Sequence, residues 1–136
     1  MQKSYKLNKL NNKAETLLFI KKKFNVPKLS IFNCNDFNKR SNFIINKIQK
    51  GYKDKIAIRS SSKNEDGSRY SKAGKYKSFV NINPKNGELL KKKIHEVIKS
   101  YKDNNNIFFV QSMVKNIELS GVVLTRDLNS YNPYFV

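Results

Sequence analysis

An α/β fold is predicted by three observations. Short apolar runs with β-branched residues recur at Leu29-Ser30-Ile31-Phe32, Ile56-Ala57-Ile58 and Ile107-Phe108-Phe109-Val110. Longer segments between them carry apolar residues at helical spacing. Gly, Pro, Asn and Asp fall at the joints between the two kinds of segment.

Taken in order, Asn12 to Phe24 carries Leu17, Leu18, Ile20 and Phe24 at roughly helical spacing, and Pro27 stops it. Leu29 to Phe32 predicts a strand. Asp36 is a candidate cap for a second helix with Phe37, Phe43, Ile44 and Ile48 as its apolar positions, and Gly51 is its end. Ile56 to Arg59 and Tyr76 to Ile82 predict two strands around a polar loop. Asn83-Pro84 opens another helix, whose Leu90, Ile94, Val97, Ile98 and Tyr101 make one stripe. Asp103 to Asn106 is a polar turn, and Ile107 to Gln111 and Leu119 to Thr125 are further strands.

The chain has 136 residues, enough for one domain with a modest core. Its formal net charge is +18, from 28 Lys and Arg against 10 Asp and Glu, which raises nucleic acid as a partner. The distribution argues against specific recognition. From Ile107 to Val136 the charges of Lys115, Glu118, Arg126 and Asp127 cancel, and elsewhere Lys is scattered among Asn. The runs Lys21-Lys22-Lys23 and Lys91-Lys92-Lys93 fall on polar sides of predicted helices. Most of the nine Phe and seven Tyr occupy apolar-periodic positions rather than forming a stacking platform. The single Cys34 excludes an intramolecular disulfide and fits a reducing cytoplasm. No signal-peptide pattern and no run long enough to span a bilayer is present, so a cytoplasmic location is expected. His95, the only histidine, lies at the edge of a helical stripe, and no Cys/His cluster supports zinc.

The segment from Ile56 to Asn81 concentrates the chemistry. A strand delivers Arg59 and the hydroxyls of Ser60, Ser61 and Ser62 into a polar loop. A guanidinium is a planar fork of N–H donors suited to phosphate oxygens, and hydroxyls and loop N–H groups add short donors. Glu65 and Asp66 follow, then Gly67 and Gly74, which let the loop turn, before the second strand. The bland reading of Arg59 is a strand-end arginine in a surface ion pair; Glu65 and Asp66 are equally readable as solvated loop residues.

The ordered set Ile58-Arg59-Ser60-Ser61, Glu65-Asp66, Ser71-Lys72-Ala73-Gly74 and Phe79-Val80-Asn81 resembles the N-terminal nucleotide-binding (PEP/pyruvate-binding) domain of the pyruvate phosphate dikinase and phosphoenolpyruvate synthase family. That family also includes rifampin phosphotransferase and the glucan water dikinases. Two flanking segments are similar too. Asn11-Asn12-Lys13-Ala14 stands where the family has a Gly-Gly-Lys turn, with Asn able to take left-handed backbone geometry in place of Gly. Val110-Gln111-Ser112-Met113-Val114 precedes Ser120-Gly121-Val122 and Thr125-Arg126-Asp127. Ser112 occupies a position that is basic in many relatives, and Met113 reads as core.

The resemblance implies the first part of an ATP-grasp-like domain, a mixed sheet with flanking helices, with residues 1–136 a single partial domain. It implies ATP as ligand, with Lys13, Arg59, Ser60, Ser61, Gln111 and Thr125 as nucleotide-binding residues and Glu65 and Asp66 as loop contributors. It implies Mg2+ held by residues beyond this chain, no catalytic residue within it, and phosphoryl transfer from ATP as the activity of a whole kinase. The partner expected is the remainder of that domain or a second polypeptide, and the isolated chain is expected to be inactive. A small basic nucleic-acid-binding protein and a non-catalytic remnant of the family are the alternatives.

Overall fold

In the computed structural model, which describes residues 12–62, 76–101 and 105–121, the strand in the middle of the chemistry is the last of the described strands. β4 (Ile107–Ser112) lies between β1 (Leu29–Asn33) and β2 (Ile56–Ser61), and β3 (Phe79–Ile82) flanks β2, giving the order β1-β4-β2-β3. Where a mixed sheet is expected, all three pairings among the described strands are antiparallel. β4 runs against both of its neighbours, and β2 and β3 form a hairpin-like pair. The pairs Ile56–Ile82 and Ile58–Phe79 leave one extra residue on β3, where Asn81 has φ 60°; such a bulge twists an edge strand.

Three helices accompany the sheet among the described residues. α1 (Lys13–Ile20) begins where Asn12 Oδ1 accepts the Glu15 N–H at 3.0 Å. Asn12 is extended (φ −164°, ψ 166°), so it serves as a cap and not in the left-handed role expected for a glycine substitute. α1 ends before Lys21-Lys22-Lys23, which lie in a turn rather than on a helix face. There the Lys22 and Lys23 N–H groups reach back only three residues, to Phe19 and Ile20.

α2 (Cys34–Gly51) is capped three residues before the expected Asp36, because Asn33 Oδ1 takes the Asn35 N–H at 2.8 Å. Arg40 (φ −143°, ψ 49°) kinks it. Ile44, Ile45 and Ile48 then turn inward, and Phe43, expected among the apolar positions, is 61% exposed beneath the Arg40 guanidinium, 5.7 Å from its ring centre. α3 (Gly87–Lys99) is capped by Asn86, whose Oδ1 accepts from Leu89 N–H at 3.0 Å; Pro84 lies in the turn before it. Its expected stripe of Leu90, Ile94, Val97 and Ile98 is buried.

α2 and α3 pack on one face of the sheet. The core there joins Phe32, Ile56, Ile58, Ile82, Phe108 and Val110 from the strands to Phe37, Ile48, Leu90 and Ile94 from the helices. Phe108 stacks on Phe32 at 5.4 Å and meets Phe37 edge-on at 5.7 Å. Each such aliphatic or aromatic side chain contributes about 1.5–3 kcal/mol relative to leaving it in water.

Two expectations change at the strand ends. β2 continues through Ser60 and Ser61, which are buried in the sheet rather than in a polar loop, because β4 pairs with it as far as Ser61–Ile107. Residues 119–121 are irregular and Leu119 is 93% exposed, so the start of the expected Leu119–Thr125 strand is not one. The rest of that strand, with Thr125, and the loop carrying Glu65, Asp66, Gly67 and Gly74 lie outside the described residues.

Candidate functional site

Strand alternation sends Ala57, Arg59 and Ser61 of β2 to the face opposite the helix-covered core, together with Phe109 and Gln111 of β4. Arg59 stands directly across from Phe109, and Ala57 from Gln111. The Arg59 guanidinium lies 5.7 Å from the Phe109 ring centre, and its Nη1 donates to Gln111 Oε1 at 3.4 Å. Phe109 is fully buried and Gln111 nearly so, while Arg59 is the exposed member of β2. A stacked guanidinium with one amide partner is held in direction yet keeps other N–H groups for a ligand.

Two clefts meet at Arg59. The first, about 310 Å³, lies between the sheet and α1, lined by Lys13, Thr16, Leu17, Arg59 and Phe109. The second, about 380 Å³, runs past Gln111 between Ala57, Val80, Met113 and Ile117. One cleft is bordered by two cations and a threonine hydroxyl. The other is walled chiefly by apolar side chains with one buried amide. That division suits a ligand with an anionic end and a flat, less polar end.

The sequence-predicted residues separate on this geometry. Lys13, Arg59 and Gln111 come together along the two clefts. Ser60 does not join them: it pairs with Phe108, its side chain belongs to the helix-covered face, and its hydroxyl has no hydrogen-bond partner. Ser61 is on the cleft side but buried, with Oγ accepting the Ala14 N–H at 3.0 Å and donating to Asn12 Oδ1 at 3.0 Å. Met113 lines the second cleft rather than the core, and Ser112 borders it as well. Glu65, Asp66 and Thr125 lie outside the described residues. Sequence reasoning missed Phe109 and Thr16. Phe109 was legible in principle, as the alternate of the core residues Phe108 and Val110.

Among the described residues no group of three or more His, Cys, Asp or Glu side chains could hold a metal ion. Cys34 is enclosed at the start of α2, and burial pushes its thiol up to about 12, which leaves no thiolate for chemistry near neutral pH. His95 packs edge-on against Phe37, and burial with Lys91 and Lys99 nearby lowers its pKa, so it stays neutral there. No described helix is long and apolar enough to cross a membrane.

An antiparallel sheet with α2 and α3 on one face, and a cationic cleft beside α1 on the other, is consistent with part of a nucleotide-binding domain. Residues 34–136 match the family described as pyruvate phosphate dikinase, AMP/ATP-binding domain, and the chain belongs to that family. No curated protein and no solved structure matches the chain. The matched segment includes Arg59, Ser60, Ser61 and Gln111; α1, with Lys13, precedes it. An adenine nucleotide is therefore the class of ligand associated with this domain.

Proposed function

We propose that this chain supplies the phosphate-holding wall of an ATP site in a cytoplasmic phosphotransferase, with Arg59 and Lys13 as the cations. The observation that carries this reading is their convergence: two elements distant in sequence bring a lysine and a stacked arginine to one cleft. Arg59 takes phosphate oxygens with the N–H groups not turned to Gln111. Lys13 adds a point charge from the first turn of α1. Gln111 and the apolar side chains beside it receive the base and sugar. Phosphoryl transfer is largely a matter of position and charge neutralisation, which is what such a wall provides. In this reading the described residues hold the phosphates, Mg2+ is held by carboxylates outside them, and the facing wall comes from residues outside them or from a partner polypeptide.

Calorimetric titration of the full-length protein with ATP tests this. A charge-assisted hydrogen bond is worth about 1.5–3 kcal/mol, so Arg59→Ala should weaken binding by roughly 10- to 100-fold. An Arg59→Ala variant that binds ATP as tightly as the parent removes Arg59 from the role.

A further inference from the structure

α1 is held unusually for a helix that presents a cation. It has eight residues, too few to be stable alone. Its Leu18 and Phe19 remain 45% and 46% exposed, so apolar packing anchors it only in part. A buried polar chain does the rest. Asn12, 2% exposed, accepts at Oδ1 from both Glu15 N–H and Ser61 Oγ, each at 3.0 Å. Ser61 Oγ also accepts the Ala14 N–H. The Ser61 N–H donates to the Tyr101 hydroxyl at 2.9 Å, and that hydroxyl donates to the Ile107 carbonyl at 2.6 Å. The start of α1, β2, the second residue after α3 and β4 are thus joined through Asn12, Ser61 and Tyr101. Lys13 sits between the α1 cap Asn12 and Ala14, the two residues that the chain grips.

A serine hydroxyl has one proton to give, and Ser61 gives it to Asn12. The oxygen of Asn12 is fixed in its orientation because the backbone N–H of Glu15 can only donate to it. Ser61 therefore has no donor to offer a phosphate while this arrangement holds. We propose that Asn12, Ser61 and Tyr101 are positioning residues that fix Lys13 beside Arg59, and that Ser61 acts on nucleotide binding through Lys13 rather than by touching the nucleotide. This rests on the ATP-site reading above.

A double-mutant cycle on the full-length protein tests it, with ATP affinity measured by calorimetry for the parent, Ser61→Ala, Lys13→Ala and the double variant. Contacting groups couple by enough that Ser61→Ala should weaken ATP about tenfold in the parent background and not at all once Lys13 is gone. In an Arg59→Ala background the loss from Ser61→Ala should persist. Asn12→Ser provides a milder cut where Ser61→Ala loses its far-ultraviolet dichroism. Serine caps Glu15 as well as asparagine does, but its oxygen is one bond nearer the backbone and leaves Ser61 behind. It should lower ATP affinity several-fold while the protein stays folded, and the loss should again appear only while Lys13 is present. Losses that multiply in the Lys13→Ala background, or a Ser61→Ala or Asn12→Ser protein that binds like the parent, overturn the proposal and leave the ATP site standing. A folded parent that binds no ATP overturns both.

Discussion

The two faces of the sheet are made by the same strands and do opposite work. Ile56, Ile58, Phe108 and Val110 point to α2 and α3 and are excluded from water. Their immediate neighbours Ala57, Arg59, Phe109 and Gln111 point the other way and border two clefts. On the first face side chains fill space; on the second they leave it. The difference teaches that stability and ligand handling are separable here residue by residue, because a period of two sends adjacent residues to different environments.

The strongest way to break that separation is Phe108→Ala. It removes a ring that meets both Phe32 and Phe37, and should cost about 3–5 kcal/mol in urea unfolding. A loss below 1 kcal/mol would mean that the covered face is not the stabilising one. High pH probes the same side. The Cys34 thiol stays neutral in the folded protein up to about 12, whereas in the unfolded chain it ionises near 9.0. Folding stability contributed by this group is therefore intact below the unfolded value and is lost as pH rises through that window toward the folded one. Tyr52, raised by burial against a smaller lowering by its bond to Ser30, adds to the same trend. Melting temperatures should fall across that window, and less so in Cys34→Ala. Native Cys34 should also resist iodoacetamide at pH 8 until denaturant is added.

A smaller effect is expected at the edge of the covered layer. Asn86→Ala deletes the α3 cap and should cost about 1 kcal/mol by the same unfolding measurement. The smallest belongs to the other face. Arg59→Ala should move unfolding by no more than about 0.5 kcal/mol while changing ATP affinity most. If Arg59→Ala instead unfolds the protein, the two faces are not separable and the loss of binding has a trivial cause.

Much of the covered face was legible in the sequence. Leu90, Ile94, Val97 and Ile98 recur at helical spacing, and Ile56 and Ile58 alternate, so the pattern and the packing agree. The misreadings sit where a local rule met a tertiary partner. Ser60 and Ser61 look like loop residues by composition, yet pairing with β4 carries the strand through them. Phe43 has the spacing of a core residue, but the kink at Arg40 precedes it and it faces solvent. The strands that carry Arg59 and Gln111 were identifiable because their apolar patterns are local. The tie between Asn12 and Ser61 was not, because it joins residues whose proximity only the folded sheet creates.

Strand order has a consequence for how this protein is made. β4, the strand that joins β1 to β2, is the last of the four to leave the ribosome. At roughly 5–20 residues per second, β2 waits several seconds for it. During that interval β1 and the β2–β3 pair both lack β4, their shared neighbour among the described strands, and such open edges are the condition under which nascent chains recruit chaperones or pair with one another. Synonymous codon choice between Ser61 and Ile107, which alters neither face of the finished sheet, sets how long that exposure lasts.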